Sequence, residues 1–250
     1  MKRAYLLSVL SLPNSIEPCP IVDALVEARF IPNLPDEAVF GALYEPLSKD
    51  FQKVENLPAL QLPPQIRNLN PQLRFQPTYR LRGEKYYISI GAKVFAVGIH
   101  MPYPGWTAFR GKLISVFETL ASKPVVKQLQ RLGIRYVNAF EGDVTRRLTL
   151  ETRLSGQPLE GAKTFFRTLL QRDGSKVLLQ VSKDQTVKRP PDFKRIGTVV
   201  DIDVSQSATQ ALDLQSLTTF IDDAHQIAKK LFFELLQPDF LNELHPIYDK

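Results

Sequence analysis

The feature of this sequence that most constrains its fold is a strict two-residue alternation over Pro20–Phe30, PIVDALVEARF. Even-numbered positions from Val22 to Phe30 are all apolar, whereas Asp23 and Glu27 belong to the other set. Because successive side chains of a strand point to opposite sides of its sheet, the pattern predicts a strand with one buried and one polar face. Sheets with one covered face are commonly antiparallel, and packed helices can supply the cover.

Helical periodicity elsewhere in the sequence predicts helices that could cover the buried face of this strand. Apolar residues recur at every fourth position from Val39 to Phe51, although Pro46 predicts a kink or two short helices there. Apolar stripes at helical spacing also predict a helix over 106–121 and a longer one over about 213–236.

Further alternating segments predict the remaining strands. RFQPTYRLR, KYYISIGAK and VFAVGIH are typical of an antiparallel meander, and LGIRYVNAF predicts another strand. RRLTLETRL, AKTFFRTLLQ, SKVLLQVSK and GTVVDIDVS predict a second set, with a tight turn at Asp173-Gly174. Two Pro-containing segments are interpreted as loops: 56–72, NLPALQLPPQIRNLNPQ, and 181–195, VSKDQTVKRPPDFKR.

These patterns together predict an α+β protein in which antiparallel sheets pack against long amphipathic helices. The predicted division is an N-terminal arm at 1–19, a first α+β half at 20–142 and a second at 143–250. The second half ends in the long C-terminal helix. The two halves are predicted either as related units or as one compact unit.

The N-terminus and the single cysteine bear on the cellular compartment. MKRAYLLSVLSL has the charge and apolar run of a short signal peptide, but no cleavage site of small residues follows, so we interpret it as an arm. No run of eighteen apolar residues predicts a membrane span. Cys19 is alone and cannot form an intramolecular disulfide, which favours a cytoplasmic location.

The positive charge of the chain is concentrated in one fifth of its length. Residues 146–195 contain 12 Lys and Arg against 5 Asp and Glu, whereas the other 200 residues contain 20 basic and 21 acidic side chains. Such asymmetry predicts an anionic partner, either a protein or a nucleic acid, although a solvated face is the ordinary alternative. The predicted contact residues are Arg74, Arg80, Arg82, Arg147, Arg153, Lys188, Arg189, Lys194 and Arg195.

Two smaller groups of residues each allow two interpretations. In HMPYPGW, His100, Tyr103 and Trp106 either line a pocket or form a stiff corner that begins a helix. Asp201 and Asp203 share a strand face, which is compatible with a metal-dependent hydrolase but also with an ordinary polar face.

No known catalytic or cofactor motif accompanies these residues. Asp222, at i−3 to His225, could orient that imidazole on the last helix. The sequence contains no nucleophile elbow, zinc spacing, GxGxxG or GxxxxGK[ST]. We therefore predict no catalytic residue, no cofactor and no bound metal.

From Pro20 onward the sequence resembles a sporadically distributed prokaryotic family of about this length that has no established function. The most specific segments are YPGW, LGIRYVN and the terminal FFELLQPDFL. The family supplies no agreed catalytic residues. Its patchy distribution implies a mobile locus, such as a defence, CRISPR-neighbouring or toxin–antitoxin-like locus. The leading hypothesis is a non-enzymatic binding protein, with a nucleic-acid-binding protein and a hydrolase as alternatives.

Overall fold

One antiparallel sheet organises the chain in this computed structural model, which describes residues 12–158, 165–189 and 193–248. Side chains are described for all of these except residues 158, 187–189 and 193–196. Nine strands pair in the order β2-β3-β4-β5-β1-β6-β11-β10-β9, and every pairing is antiparallel. The strands of this sheet are β1 (Ile21–Pro32), β2 (Lys53–Asn56), β3 (Tyr79–Arg82), β4 (Tyr86–Gly91), β5 (Val94–Ile99), β6 (Val126–Glu141), β9 (Phe165–Arg172), β10 (Ser175–Arg189) and β11 (Phe193–Ser207).

The sheet includes strands from both predicted segments, 20–142 and 143–250. They are joined where β6 pairs with β11, from Phe140 opposite Thr198 to Leu132 opposite Gln206. A separate two-stranded hairpin contains β7 (Arg153–Leu154) and β8 (Gln157–Pro158).

The α-helices are α1 (Ala38–Leu47), α2 (Pro64–Leu69), α3 (Trp106–Ala121), α4 (Leu214–Leu235) and α5 (Pro238–Glu243). Helix α1 contacts β4, α3 contacts β5 and α4 contacts β6 and β11, while α3 also contacts α1 and α4. The α+β class is therefore confirmed as one large antiparallel sheet with helices packed on it. No helix in the described part of the chain has the length and apolar character needed to cross a bilayer.

The predicted periodicities identify the buried faces correctly. Ala24, Val26, Ala28 and Phe30 of β1 are buried, as the alternation indicates. The every-fourth-residue stripe that ends at Phe51 is buried as well, and α1 is a single helix that ends one residue after Pro46. We call the side of the sheet opposite the helices the open face; it includes Asp23 and Glu27 of β1 and Asp201 and Asp203 of β11.

Four segments differ from their predicted local structure. Within 56–72 the chain forms a 3₁₀ turn and helix α2, because prolines occupy first-turn positions, where a helix accepts them. In 74–82 only Tyr79–Arg82 is a strand. The predicted strand over 146–154 begins instead with the 3₁₀ turn Thr145–Arg147, and the sole strand residues there are Arg153–Leu154.

The fourth difference concerns 181–195, interpreted above as a charged loop. Strand β10 continues to Arg189 and β11 begins at Phe193, so most of the segment belongs to two long paired strands. The turn at Asp173-Gly174 is present as predicted: both residues have positive φ, of 46° and 77°, and they connect β9 to β10.

Candidate functional site

A cavity of about 1070 Å³ lies on the helical side of the sheet. Its walls come from segment 14–21, the start of α3, the middle of α4 and the floor that β6 and β11 provide. A volume of this size is at the upper end of the range for pockets that hold drug-sized ligands. The residues that line the cavity include Tyr103, Trp106, Tyr136, Asn138, His225 and Lys229.

The centre of the cavity wall is a stacked pair of aromatic rings. The Trp106 and His225 ring centroids lie 3.7 Å apart with an angle of 6° between the planes. Tyr103 contacts Tyr136 edge to face, with 6.3 Å between centroids. The Tyr136 hydroxyl lies 2.9 Å from His225 Nδ1, which fixes the imidazole from its other side. Parallel and edge-to-face contacts of this kind hold aromatic walls rigid.

The chain places Trp106 at the wall through the local structure before α3. Gly105 has φ of 88° and ψ of 159°, a conformation open essentially only to glycine, and it immediately precedes the helix. Helix α3 begins at Trp106, so its side chain stays at the end of the helix beside α4. The corner and the pocket, which the sequence leaves as alternatives, are therefore the same feature: the corner aims Trp106 into the cavity.

The imidazole of His225 is held in its neutral form. Burial, followed by the nearby charge of Lys229, lowers the pKa of His225 to about 4, while Asp222 acts in the opposite direction. At neutral pH the ring therefore has one N–H and one acceptor nitrogen. Asp222 does not orient this ring by hydrogen bonding as predicted: Arg110 donates two hydrogen bonds to its carboxylate, at 2.6 and 2.8 Å.

The floor and rim of the cavity add hydrogen-bonding groups to this apolar wall. Asn138 is buried and donates from Nδ2 to the Val200 carbonyl at 3.3 Å. Lys229 donates from Nζ to Asn14 Oδ1 at 3.1 Å, which links α4 to the N-terminal segment. Burial raises the pKa of both Tyr103 and Tyr136, so both phenols stay protonated and can donate hydrogen bonds. The cavity combines flat apolar surfaces with a few fixed polar atoms.

His100 does not line this cavity. Its ring centroid lies 5.4 Å from that of Tyr87. Burial and the charges of Arg82 and Arg80 lower its pKa, and both arginines belong to β3 on the open face. The structure therefore brings Tyr103 and Trp106 together and replaces His100 by His225.

Asp201 and Asp203 do share one side of β11, the open face, where arginines bind both. Arg135 donates to both carboxylate oxygens of Asp201 at 2.9 and 2.6 Å, and Gln180 donates a third hydrogen bond at 2.9 Å. Arg131 donates to both oxygens of Asp203 at 2.7 Å. In the described ranges no group of three or more His, Cys, Asp or Glu is placed to hold a metal ion. The geometry assigns these carboxylates to arginine pairing.

The same pairing continues along the open face toward β3. Arg131 also donates to Glu27, which in turn accepts from Arg29 at 2.6 Å. Tyr87 donates to Asp23 at 3.2 Å. Most of the charges on this face therefore compensate one another.

The predicted basic contact residues whose side chains the structure describes lie on several separate elements. Arg80 packs over the Tyr87 ring at 4.3 Å and Arg74 lies 5.6 Å from the Phe75 ring, on a turn outside β3. Arg82 pairs with Glu55, Arg147 with Glu243 and Arg153 with Glu151. The backbones of Lys188, Arg189, Lys194 and Arg195 belong to β10 and β11, but their side chains lie outside the described residues.

Sequence reasoning located two residues of the cavity and missed the others. Tyr136 lies within LGIRYVN, yet its position on the helical side of β6 is visible only once the register with β1 is known, with Ala24 opposite Tyr136. Trp106 and His225 are 119 positions apart. No local pattern links two residues at such a separation.

No protein-family model matches this chain, and no curated protein matches it. The family resemblance in YPGW, LGIRYVN and FFELLQPDFL stays a prediction.

Proposed function

We propose that this protein is a non-enzymatic binding protein that holds a planar, largely apolar small molecule in the cavity between α3, α4 and the N-terminal segment. The observation that carries the proposal is the stacked Trp106–His225 pair in the wall of a cavity of about 1070 Å³. Flat aromatic walls offer a large apolar contact to a flat ligand, and few polar groups are needed to orient it.

The polar atoms around this wall indicate which polar groups the ligand carries. Lys229 lines the cavity close enough to His225 to influence its pKa, and it is the one lysine or arginine among the described lining residues, which also include the carboxylate of Glu17. Asn138 and the neutral His225 supply uncharged hydrogen-bonding groups. The favoured ligand is an aromatic or heteroaromatic molecule with one anionic or strongly accepting group.

No catalytic step is included in this proposal. A candidate base has to be oriented by a partner and face a nucleophile or a substrate proton. The Tyr136 phenol occupies Nδ1 of His225, and Arg135 and Arg131 occupy the oxygens of Asp201 and Asp203. The arginine pairs argue against a metal-dependent step at Asp201 and Asp203, and the binding proposal rests on the cavity wall.

The single tryptophan of the chain provides a direct assay. The probes are 1-anilinonaphthalene-8-sulfonate and its uncharged relative N-phenyl-1-naphthylamine, titrated into the full-length protein. Energy transfer from Trp106 reports binding within transfer range of this wall, and direct excitation of the probe reports binding anywhere and is the signal on which the variants are compared. We expect saturable binding of one sulfonate probe per chain, with energy transfer, and an affinity in the micromolar range, roughly −8 kcal/mol.

Matched variants separate the cavity from general surface binding. Trp106→Leu is expected to weaken sulfonate binding at least about tenfold, whereas Tyr44→Leu, which removes an exposed aromatic ring on α1, changes it less than about twofold. Lys229→Met should weaken the sulfonate more than the uncharged probe. Equal effects of Trp106→Leu and Tyr44→Leu, or the absence of energy transfer, would refute the proposal. Near-UV circular dichroism, which partly unfolded states lose, should be unchanged when the probe binds the natural protein, and this excludes binding to such a state.

A further inference from the structure

Strand β9 forms one edge of the nine-stranded sheet, and among the described residues no strand pairs with its outer side. The two-residue turn at Asp173-Gly174 makes Arg172 and Ser175 a hydrogen-bonded pair. Since bonded and non-bonded pairs alternate along an antiparallel ladder, the odd-numbered residues from Phe165 to Gln171 direct their N–H and C=O groups away from β10. The edge therefore offers backbone groups for another strand.

The side chains of this edge are unusually apolar for an uncovered strand. Phe165 and Leu169, on the open face, are 66% and 62% exposed. Phe166 and Leu170, on the other side, pack against the core and fix the strand to the sheet. Natural proteins normally protect long edges by charges, bulges or a covering segment, because bare edges pair with other chains.

One cation lies between the two exposed apolar residues. Arg167 has no ion pair within the described residues, and Lys176 on the same side of neighbouring β10 is exposed. The nearest carboxylates on this face, Asp201 and Asp203 of β11, are bound by arginines. Arg167 in the middle of the edge disfavours pairing with an apolar or basic strand from a partner. A partner strand with a carboxylate opposite Arg167 gains a cross-strand ion pair.

We propose that β9 is a docking site for an extended acidic segment of a partner protein, which adds to the sheet as a further strand. Its backbone pairs with the outer side of β9, its carboxylate lies on Arg167, and two flanking apolar side chains cover Phe165 and Leu169. Such strand addition takes affinity from main-chain hydrogen bonds and specificity from alternate side chains. The site lies on the sheet edge and is independent of the cavity ligand proposed above.

The same features favour a protein strand over nucleic acid. Phosphate backbones are bound by tracks of free cations, and Arg82, Arg147 and Arg153 are paired with carboxylates on separate parts of the surface. A free strand edge next to exposed apolar side chains matches an extended peptide instead.

The test uses the full-length chain and a fluorescein-labelled, amidated peptide, Thr-Val-Thr-Glu-Thr-Val-Thr. Its pattern places Val, Glu and Val opposite Phe165, Arg167 and Leu169 in either strand direction. Fluorescence anisotropy measures binding at about 50 and 200 mM salt, with labelled single- and double-stranded DNA and RNA in parallel. We expect micromolar peptide binding, on the order of −8 kcal/mol.

Two controls make the result specific. Arg167→Glu should weaken peptide binding at least about tenfold, whereas Arg153→Glu, which makes the same charge change on the β7–β8 hairpin, should change it less than about twofold. The same peptide N-methylated at every residue keeps the carboxylate but has no N–H group with which to pair as a strand in either direction, so it should not bind. Binding of the N-methylated peptide, insensitivity to Arg167→Glu, or binding of nucleic acid alone would overturn the proposal.

Discussion

His225 makes the stability of this protein depend on pH in a way that can be calculated. Its pKa is lowered from 6.5 in the unfolded chain to about 4 in the folded protein, chiefly by burial and then by Lys229. Between these two values the unfolded chain binds a proton that the folded protein excludes. Stability is therefore fully present above pH 6.5 and falls as the pH decreases toward 4.

The size of the effect follows from the difference in pKa. One pKa unit corresponds to about 1.4 kcal/mol, so the whole difference is roughly 3 kcal/mol. A change from about pH 7.5 to about pH 5 covers only part of that range and should remove about 2 kcal/mol from the free energy of unfolding. This is a large share of the stability of an ordinary domain.

The assay compares urea unfolding of the natural protein and His225→Gln at both pH values. Glutamine keeps a hydrogen-bonding group that can face the Tyr136 hydroxyl, whichever of the two donates, but it does not titrate. Asp23 and Asp203, whose pKa values are raised by burial, and His100, whose pKa is lowered, contribute equally to both proteins. The change in unfolding free energy between the two pH values should therefore be about 2 kcal/mol smaller in the variant. Equal changes in the two proteins would refute the claim that His225 is held neutral in the folded protein.

Three further predictions concern the sheet and helices, and each is measured by urea unfolding. Gly98→Ala should destabilise by about 1–3 kcal/mol, because the new Cβ would lie 2.3 Å from the Tyr87 ring. Gly111→Ala, in the interior of α3 with no atom within 4 Å of the added Cβ, should instead stabilise by about 0.5–1 kcal/mol. Arg135→Met should cost about 2–4 kcal/mol, because it leaves the 6%-exposed Asp201 without its bidentate partner, and Asp201→Asn in the same background should recover part of that loss.

Local periodicity was sufficient for the elements whose two faces differ strongly. The helix predicted over 106–121 is observed at Trp106–Ala121, and α4 begins at Leu214 after Asp213, whose side chain accepts a hydrogen bond from the Ser216 N–H. In 181–195, charge and prolines predict a loop, yet two long strands pair there. Pairing between strands can stabilise a polar segment against its local propensity, which a single-sequence pattern does not reveal.

The prediction of related halves at 20–142 and 143–250 stays open, but part of the order of elements recurs in two series, one from β1 to α3 and one from β6 to α4. In each, a central strand, β1 or β6, is followed by a meander whose last strand, β5 or β11, pairs with that central strand. A helix, α3 or α4, then follows that last strand. Strand alternation shows neither this order nor the pairing of β1 with β6.

That arrangement explains why the cavity could not be found from HMPYPGW alone. Because β1 and β6 pair at the centre of the sheet, the helices that follow β5 and β11 pack side by side above them. Trp106 at the start of α3 thereby meets His225 in the middle of α4, over the Tyr136 side chain from the sheet. Each of the three residues lies in a segment that is explained by local structure alone: Trp106 follows a corner, His225 belongs to a helix and Tyr136 to a strand. The site arises only from the long-range pairing that brings the three together, and so its predicted third member, His100, lies on the opposite face of the sheet.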